Sequence, residues 1–384
     1  MGTIVNDVKK EKWICVQVGA REHYSFPKEL MAIGKLDLMI TDYWATCRIP
    51  MKHAFLKDLN GRRHPEIPNA KVMSFNLSSL GFEVFNRLKS KGWDKVVNRN
   101  QWFQGKAVNY LKSLKHSPTH VFSYSYAARD IFRYAKSKGW KTVLGQIDPG
   151  PLEEEIVLQE LKKFPAYQSE WQPAPTDYWR GWHEECNLAD EIIVNSEWSY
   201  NALVQKGIDG NKLKIIPLNY TAPDEAKVFQ RKFPVRFDQG RPLKILFLGQ
   251  VILRKGIARV IEVARLMKGR PVEFIIAGSI GIHPLPQLSN MKWVERVPRL
   301  DVDRYFKDAD VFLFPTLSDG FGLTQLEARA WKLPVISSRY CGSVIKNGVD
   351  GFILDDLEPD TIVSTLHNIL KNPGILSGLS SGQQ

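Results

Sequence analysis

Ser318-Asp319-Gly320-Phe321-Gly322-Leu323-Thr324-Gln325-Leu326-Glu327-Ala328 comes close behind the apolar run Val311-Phe312-Leu313-Phe314-Pro315. Together they read as a buried strand, a glycine-pinched turn and the first turns of a helix. Glycines let the backbone approach a ligand closely, and the helix start offers unpaired N–H groups to an anion. A carboxylate stands at each end of the element. Asp319 precedes the turn, and Glu327 lies one helical turn past Leu323, about 5.4 Å along the axis. Donors for phosphates beside carboxylates for hydroxyls are what a nucleotide sugar requires.

Upstream, Gly249-Gln250-Val251-Ile252-Leu253-Arg254-Lys255-Gly256-Ile257 follows the apolar run Leu243–Leu248 and precedes an amphipathic segment, Ala258–Met267. It is again a strand, a glycine turn, here with a cation pair, and a helix start. A diphosphate leaving group needs donors and positive charge in place before its bond breaks, and Lys255 and Arg254 suit that task. Alone, an Arg-Lys pair before a helix is a surface charge pair. Beside the Asp319–Glu327 element it reads as a phosphate site.

Short apolar, β-branched runs alternate with helical patterns along the whole chain. In the first half the strand candidates are 13–18, 38–41, 71–75, 120–123, 142–146, 191–195 and 214–217. In the second half they are 243–248, 272–277, 291–294, 311–314, 334–337 and 351–354. Runs apolar on both faces, spaced by helix-length segments, argue for parallel sheets covered by helices. The charged, proline-containing stretch 221–240 is the candidate linker. The expected fold is α/β, with two facing Rossmann-like doubly wound domains, 1–220 and 241–384, and a cleft between them. One stretch, 164–182, breaks the rhythm. Its three prolines and six aromatics predict an ordered loop or lid rather than a helix.

The chain of 384 residues, 43% hydrophobic, is long enough for two cores. Cys15, Cys47, Cys186 and Cys341 are widely spaced and read as reduced thiols of a cytoplasmic protein, not as a disulfide framework or a zinc site. No run reaches the roughly 18 apolar residues of a membrane span. The net charge is +12, and 87–116 carries eight Lys/Arg against one acid, Asp94, with Trp93, Trp102 and Phe103 among them. That segment is either a solvated helical face with core aromatics, or a surface for anionic lipid or an anionic acceptor. Nucleic acid is not expected, because no recognised nucleic-acid module accompanies it. Asp308-Ala309-Asp310 has D-x-D spacing but reads as a helix end, and no metal is expected. Arg180 and Glu184 read as an i,i+4 pair.

The motifs GQVILRKG and DGFGLTQLEA resemble those of glycosyltransferase family 4, a retaining family with the GT-B architecture of two facing Rossmann-like domains. VEFIIAGS, RVPRLDVDRYFKDADVFLFP, LPVISS and NGVDGFIL support the resemblance, as does LADEIIVNSEWSYNALVQKGI with KIIPL, so that it covers about 188–356. The resemblance implies that Lys255, with Gly249, binds the donor diphosphate. It assigns Glu327 to the nucleoside ribose and the backbone of Phe321, Gly322, Leu323 and Thr324 to the donor sugar and phosphate. Asp319 takes the place of a glutamate beside the donor sugar and is one methylene shorter. Gln250 replaces a usual arginine, a lost charge for which Arg254 is the candidate compensation. Many relatives close the fold with a C-terminal helix that crosses back to the first domain, for which NPGILSGLSSGQQ is the candidate here.

The N-terminal half is expected to hold the acceptor. Gly19, His23 and Tyr24 follow the first strand, where the family has a flexible glycine loop. Tyr126, in Ser123-Tyr124-Ser125-Tyr126, and Gln146 and Asp148, in Gln146-Ile147-Asp148-Pro149-Gly150, follow later strands. Gln146 or Asp148 stands where many relatives have a histidine touching the donor sugar. The expected activity is metal-independent, retaining transfer of a hexose-type sugar from a nucleoside-diphosphate sugar to a hydroxyl of a glycan, lipid or small molecule. The alternatives are a nucleotide-sugar hydrolase or epimerase, and a non-catalytic nucleotide-sugar or anionic-polymer binder. The nucleotide sugar is a substrate and no cofactor is expected. A cytoplasmic protein is expected, with the inner membrane surface as its peripheral alternative.

Overall fold

A computed structural model of the chain describes residues 11–46, 61–169 and 171–382; Cys47 lies outside them. The chain divides into two units. The first takes the chain through Ile147 with Ala174–Ile193 and Asn211–Lys214, and the second takes Asp148–Pro173, Val194–Gly210 and the chain from Ile215 onward.

The first unit is built on a seven-stranded sheet. Its strands are β1 (Trp13–Gln17), β2 (Leu36–Thr41), β3 (Val72–Ser74), β4 (His120–Tyr124), β5 (Lys141–Gly145), β7 (Glu191–Val194) and β8 (Leu213–Ile215). They lie in the order β3-β2-β1-β4-β5-β7-β8, and the registered pairs run parallel. The helices are α1 (Ser25–Ala32), α2 (Asn76–Lys89), α3 (Trp93–Ser113), α4 (Arg129–Ser137) and α6 (Thr176–Leu188). The core gathers Cys15, Met39, Trp44, Phe122 and Val143.

The second unit carries the six-stranded sheet β12-β10-β9-β13-β14-β15. These are β9 (Leu243–Leu248), β10 (Val272–Ala277), β12 (Met291–Val294), β13 (Val311–Phe314), β14 (Val335–Ser337) and β15 (Gly351–Ile353). Leu243, Ile245, Val311 and Leu313 pack into one layer, while Leu246, Phe312 and Phe314 pack into the other. Period-2 alternation with both faces apolar is the mark of a sheet covered on both sides. Its helices are α5 (Pro151–Lys163), α7 (Glu197–Gln205), α8 (Asp224–Val228), α9 (Ile257–Leu266), α10 (Val302–Asp308), α11 (Leu323–Ala330), α12 (Pro359–Lys371) and α13 (Gly374–Ser381). A two-stranded ribbon, β6 (Gln168–Ser169) with β11 (Ile282–His283), completes it.

The division runs differently from a single break at 220. Segment 148–173 joins the second unit because the buried Arg259 of α9 holds Glu160 of α5 at 3.0 Å and the carbonyl of Leu357 at 2.8 Å. Stretch 221–240 folds onto the same unit instead of hanging free. Arg231 donates to the carbonyls of Phe306, Lys307, Ala309, Trp331 and Lys332, and Ala226 and Phe237 are buried. The expected loop 164–182 is helical from Thr176. Pro165, Pro173 and Pro175 all precede that point, and Pro175 is extended at the N-cap, where a missing N–H costs nothing. The Arg180–Glu184 pair is not made: Arg180 turns back to Asp177, and Glu184 meets Arg133 of α4. The C-terminal segment forms α13 and buries Leu376 in the second unit's core.

Candidate functional site

In each unit the strand order reverses beside the first strand of its sheet: between β1 and β4 in one, between β9 and β13 in the other. Open α/β sheets bind ligands outside the carboxyl ends of the strands at such points. Both switch points carry candidate residues.

In the second unit, β9 ends at Gly249, whose φ of +150° suits only glycine. The chain passes through a short turn, Leu253–Lys255, and enters α9 through Gly256 at φ +78°. A Cβ on Gly256 would stand 2.1 Å from the carbonyl oxygen of Pro315, so the turn is pressed against the end of β13. The amide of Leu317 donates to the carbonyl of Arg254 at 2.8 Å and fixes that contact. These constraints place Lys255 and Arg254 over the 315–320 loop.

The Lys255 ammonium bonds the Asp319 carboxylate and lies 5.5 Å from the centre of the Phe314 ring. Arg254 donates to the carbonyl of Ser318 at 2.8 Å and meets Glu153 of α5 at 3.3 Å. Glu153 also accepts from the Ser318 hydroxyl at 3.0 Å. Burial alone raises Asp319, yet the cations of Lys255 and Arg254 outweigh it and hold the carboxyl below its ordinary value. Burial pushes Lys255 below the usual lysine value, against Asp319, which raises it. Glu153 is pushed up to about 7, by burial first, with Asp148 and Asp319 adding to it against Arg254. Two carboxylates and two cations thus share a buried site.

The turn itself is held from behind. The carbonyl of Gly320 accepts from Ser196 Oγ at 2.7 Å and Ser199 Oγ at 3.3 Å, both at the start of α7. Buried Gln325 donates to the carbonyl of Phe321 and accepts from Ser337. Gly322, at φ +83°, caps α11, where a Cβ would meet the Phe314 ring at 2.7 Å. The Phe321 side chain packs into the core, leaving its backbone for any ligand role. A cavity of about 220 Å³ opens against Gly249, Gln250, Arg254, Lys255, Phe314 and Thr324. Glu327 is buried one turn into α11 and accepts from Arg299 at 2.6 Å. Leu323 is half-buried in the first turn of the same helix. The structure therefore gathers Gly249, Gln250, Arg254, Lys255, Asp319 and Thr324 in one place. Spacing gave no sign of Glu153, Ser196, Ser199 or Arg299, because each arrives from another element. Asp308 and Asp310 are tied to Lys244 and Arg241, a structural use of the D-x-D pair.

In the first unit, Gly19 has φ +79° and donates its amide to Asp42 at 2.8 Å. Glu22, His23 and Tyr24 follow with three successive positive φ angles, a strained run of the kind found at ligand sites. His23 is exposed. Tyr24 is buried against Trp44, so its ring belongs to the core rather than to a cleft. Gln17, Ser123 and Ser125 are buried at the ends of β1 and β4, and Gln17 Oε1 and the two hydroxyls have no partner among the described residues. They line a cavity of about 100 Å³ with Arg21, Arg99, Asn100 and Tyr126. Gln17 Nε2 is spent on the carbonyl of Gly19 at 2.9 Å, which directs Oε1 inward as an acceptor. Tyr126, at φ +76°, stacks on Tyr178 at 4.9 Å. A second cavity of about 350 Å³ continues along Asn100, Gln104, Tyr178 and Trp182. Gln146 is clamped between Tyr126 and Trp182, at 3.3 and 2.9 Å. Asp148, in the second unit, accepts from the amide of Gly150 at 2.9 Å in a turn that starts α5. Buried Glu185 accepts from the amides of Tyr126, Ala128 and Arg129 at the head of α4.

Residues 229–380 match the family model described as glycosyl transferases group 1. D-inositol 3-phosphate glycosyltransferase of Thermobifida fusca (strain YX) is 24% identical over 232 residues, 52% of either chain. Amylovoran biosynthesis glycosyltransferase AmsK of Erwinia amylovora is 28% identical over 195 residues, 46% of either chain. The chain spans about half the length of the curated relatives it matches. Among solved structures, Anabaena Alr3699/HepE in complex with UDP and glucose superposes with a TM-score of 0.61 at 14% identity, covering 97% of this chain and 94% of that one. At that identity the likeness carries the fold, two Rossmann-like α/β units of the GT-B class. Among the described residues no helix is long and apolar enough to cross a membrane.

Proposed function

We propose that the chain is a glycosyltransferase that moves a hexose-type sugar from a nucleoside-diphosphate sugar to a hydroxyl acceptor. The observation that carries the reading is the pair of buried cations, Lys255 and Arg254, at the β9/β13 switch point beside the glycine turn and the α11 N-terminus. In this reading the donor diphosphate takes Lys255 from Asp319, and the first amides of α11 receive phosphate oxygens. Asp319, released, accepts from a hydroxyl of the sugar, and Glu327 accepts from the ribose. Charge on the departing diphosphate is balanced by Lys255, Arg254 and the helix start, so this chemistry asks for no metal. The acceptor attacks the anomeric carbon on the face the diphosphate leaves, and a leaving phosphate oxygen takes its proton, which retains the configuration.

The acceptor hydroxyl belongs, in the same reading, to the first unit's strand-end cavity. Gln17, Ser123 and Ser125 there set neutral polar groups beside Arg21 and Arg99. Buried thiols at Cys15, Cys186 and Cys341 fit work in a reducing, cytoplasmic compartment. UDP and glucose bound to the Anabaena protein make UDP-glucose the first donor to try.

The test is nucleoside diphosphate release from UDP-, GDP- and ADP-sugars, with and without hydroxyl acceptors, and NMR of the product's anomeric centre. Release that rises with acceptor, and a retained centre, is the expected result. Release independent of any acceptor would make the chain a hydrolase, and binding without release would make it a binder.

A further inference from the structure

Four large apolar side chains stand in solvent along one stripe of α2. Leu77, Val84, Phe85 and Leu88 are 88%, 63%, 54% and 82% exposed. At 3.6 residues per turn they share an arc of roughly 100°. The opposite face docks the helix. Ser79 and Asn86 are buried there, Asn86 donates to the carbonyl of Lys95 at 3.0 Å, and Phe82 stacks on Trp102 at 4.7 Å. An ordinary surface helix turns its apolar stripe to the core; this one turns it outward.

Cations border the stripe. Arg87 and Lys89 fall on either side of it by helical position, and the Lys89 ammonium lies 4.6 Å from the Phe85 ring. Exposed Lys91 follows at the helix end. Of the nearby acids, Glu83 is paired with Arg99 at 2.6 Å and Asp94 sits on α3. An apolar band edged by Lys and Arg is the composition of a helix that lies in a lipid interface.

We propose that this face of α2 seats the protein on an anionic lipid surface. The four apolar side chains enter the boundary between headgroups and acyl chains, and Arg87, Lys89 and Lys91 meet lipid phosphates. The stripe lies mostly just upstream of 87–116, the segment for which an anionic lipid surface is one of the alternatives. In that segment Phe103 is core, Trp102 stacks on Phe82 and Val96 is the one large apolar side chain exposed on α3 among the described residues, so α3 contributes mainly charge. A second copy of this chain fits the patch less well. A two-fold interface would set Arg87, Lys89 and Lys91 against their own counterparts. Nucleic acid would use the cations but leave the leucines in water.

The test is sedimentation of the whole chain with vesicles of phosphatidylcholine alone or mixed with phosphatidylserine. The expected result is binding to the mixed vesicles that weakens with added salt. Leu77→Ser with Leu88→Ser lowers it at least about tenfold, and so does Lys89→Glu with Lys91→Glu. Both variants keep the parent melting temperature, because the side chains are exposed. Three results overturn the proposal: no binding by the parent chain, binding indifferent to the leucine change, or a parent dimer that Leu77→Ser with Leu88→Ser turns into monomer.

Discussion

At the switch point of the second unit, charge is stored as ion pairs: Lys255 holds Asp319, and Arg254 holds Glu153. At the switch point of the first, Gln17, Ser123 and Ser125 bury neutral polar atoms that meet no partner among the described residues. The same topological position is thus prepared in two ways. Paired charges keep the proposed phosphate site folded while it is empty, because a buried ion left alone is far costlier than a buried pair. Unpaired hydroxyls and an amide oxygen leave capacity open for a hydroxylated ligand, at a standing cost to stability. The first is a site whose groups must exchange partners; the second is a site whose groups must acquire them.

The largest effect expected is at Lys255. Lys255→Ala lowers the rate of nucleoside diphosphate release by roughly 10²–10³-fold, the scale for removing one preorganised charge stabiliser. It also leaves Asp319 buried without its cation, and a melting curve should show a loss of about 3–5 kcal/mol. Lys255→Met with Asp319→Leu separates the two effects. An apolar pair of similar volume restores most of the stability and none of the activity. If the double variant turned over donor at the parent rate, charge storage at this switch point would have nothing to do with catalysis.

Next comes the pH dependence of stability. Glu153 in the second unit and Glu185 in the first are each pushed up from 4.5 to about 7, burial being the largest cause in both. Between those values the native state keeps protons that the unfolded chain has released. Stability therefore falls as pH rises from about 4.5 to about 7, by up to about 3 kcal/mol for each group. Glu153→Gln should remove about half of that slope in urea titrations taken at several pH values. An unchanged slope would place the titration elsewhere than at Glu153.

The unpaired atoms of the first unit give a smaller and opposite signature. Ser123→Ala with Ser125→Ala deletes buried hydroxyls that satisfy nothing, so stability holds or rises by about 1 kcal/mol. The KM for acceptor rises about fivefold for each hydrogen bond lost, with the donor KM unchanged. A drop in stability would show that these hydroxyls already serve the fold, and the contrast between the switch points would fail.

The second unit was the more legible of the two in sequence. Strands 243–248, 272–277, 291–294 and 311–314 begin and end where their apolar runs do. Alternation with both faces buried leaves little freedom for the boundary, and Gly249 and Gly256 mark the turns by backbone angles only glycine holds cheaply. What the sequence hides is convergence. Glu153 stands in Leu152-Glu153-Glu154-Glu155, where nothing local separates the residue facing Arg254 from its neighbours. Ser196 and Ser199, at the start of α7, carry no local sign of reaching the Gly320 carbonyl. In the first unit the strands were visible, but helix α6 was masked by the prolines just upstream of it. The exposed stripe of α2 was missed for a related reason. Its spacing is that of a buried face, and only the packing of Asn86 and Phe82 shows that the helix is turned the other way.

Gln250 offers the finest adjustment of the comparison. It is exposed at the rim of the second unit's cavity, one residue past Gly249, where a longer cation would add to the field of Lys255 and Arg254 without entering their pairs. Gln250→Arg should lower the donor KM by about two- to fivefold, the scale of a rim charge worth under about 1 kcal/mol. Because that charge sits in water, the gain should fade as ionic strength rises, whereas the contribution of buried Lys255 persists. Donor KM measured at low and high salt for the parent chain and for Gln250→Arg reads both effects at once. A gain that survived high salt would mean the arginine had reached into the buried cluster. A loss would mean that the pairs there need Gln250's neutrality to stay balanced until the diphosphate arrives.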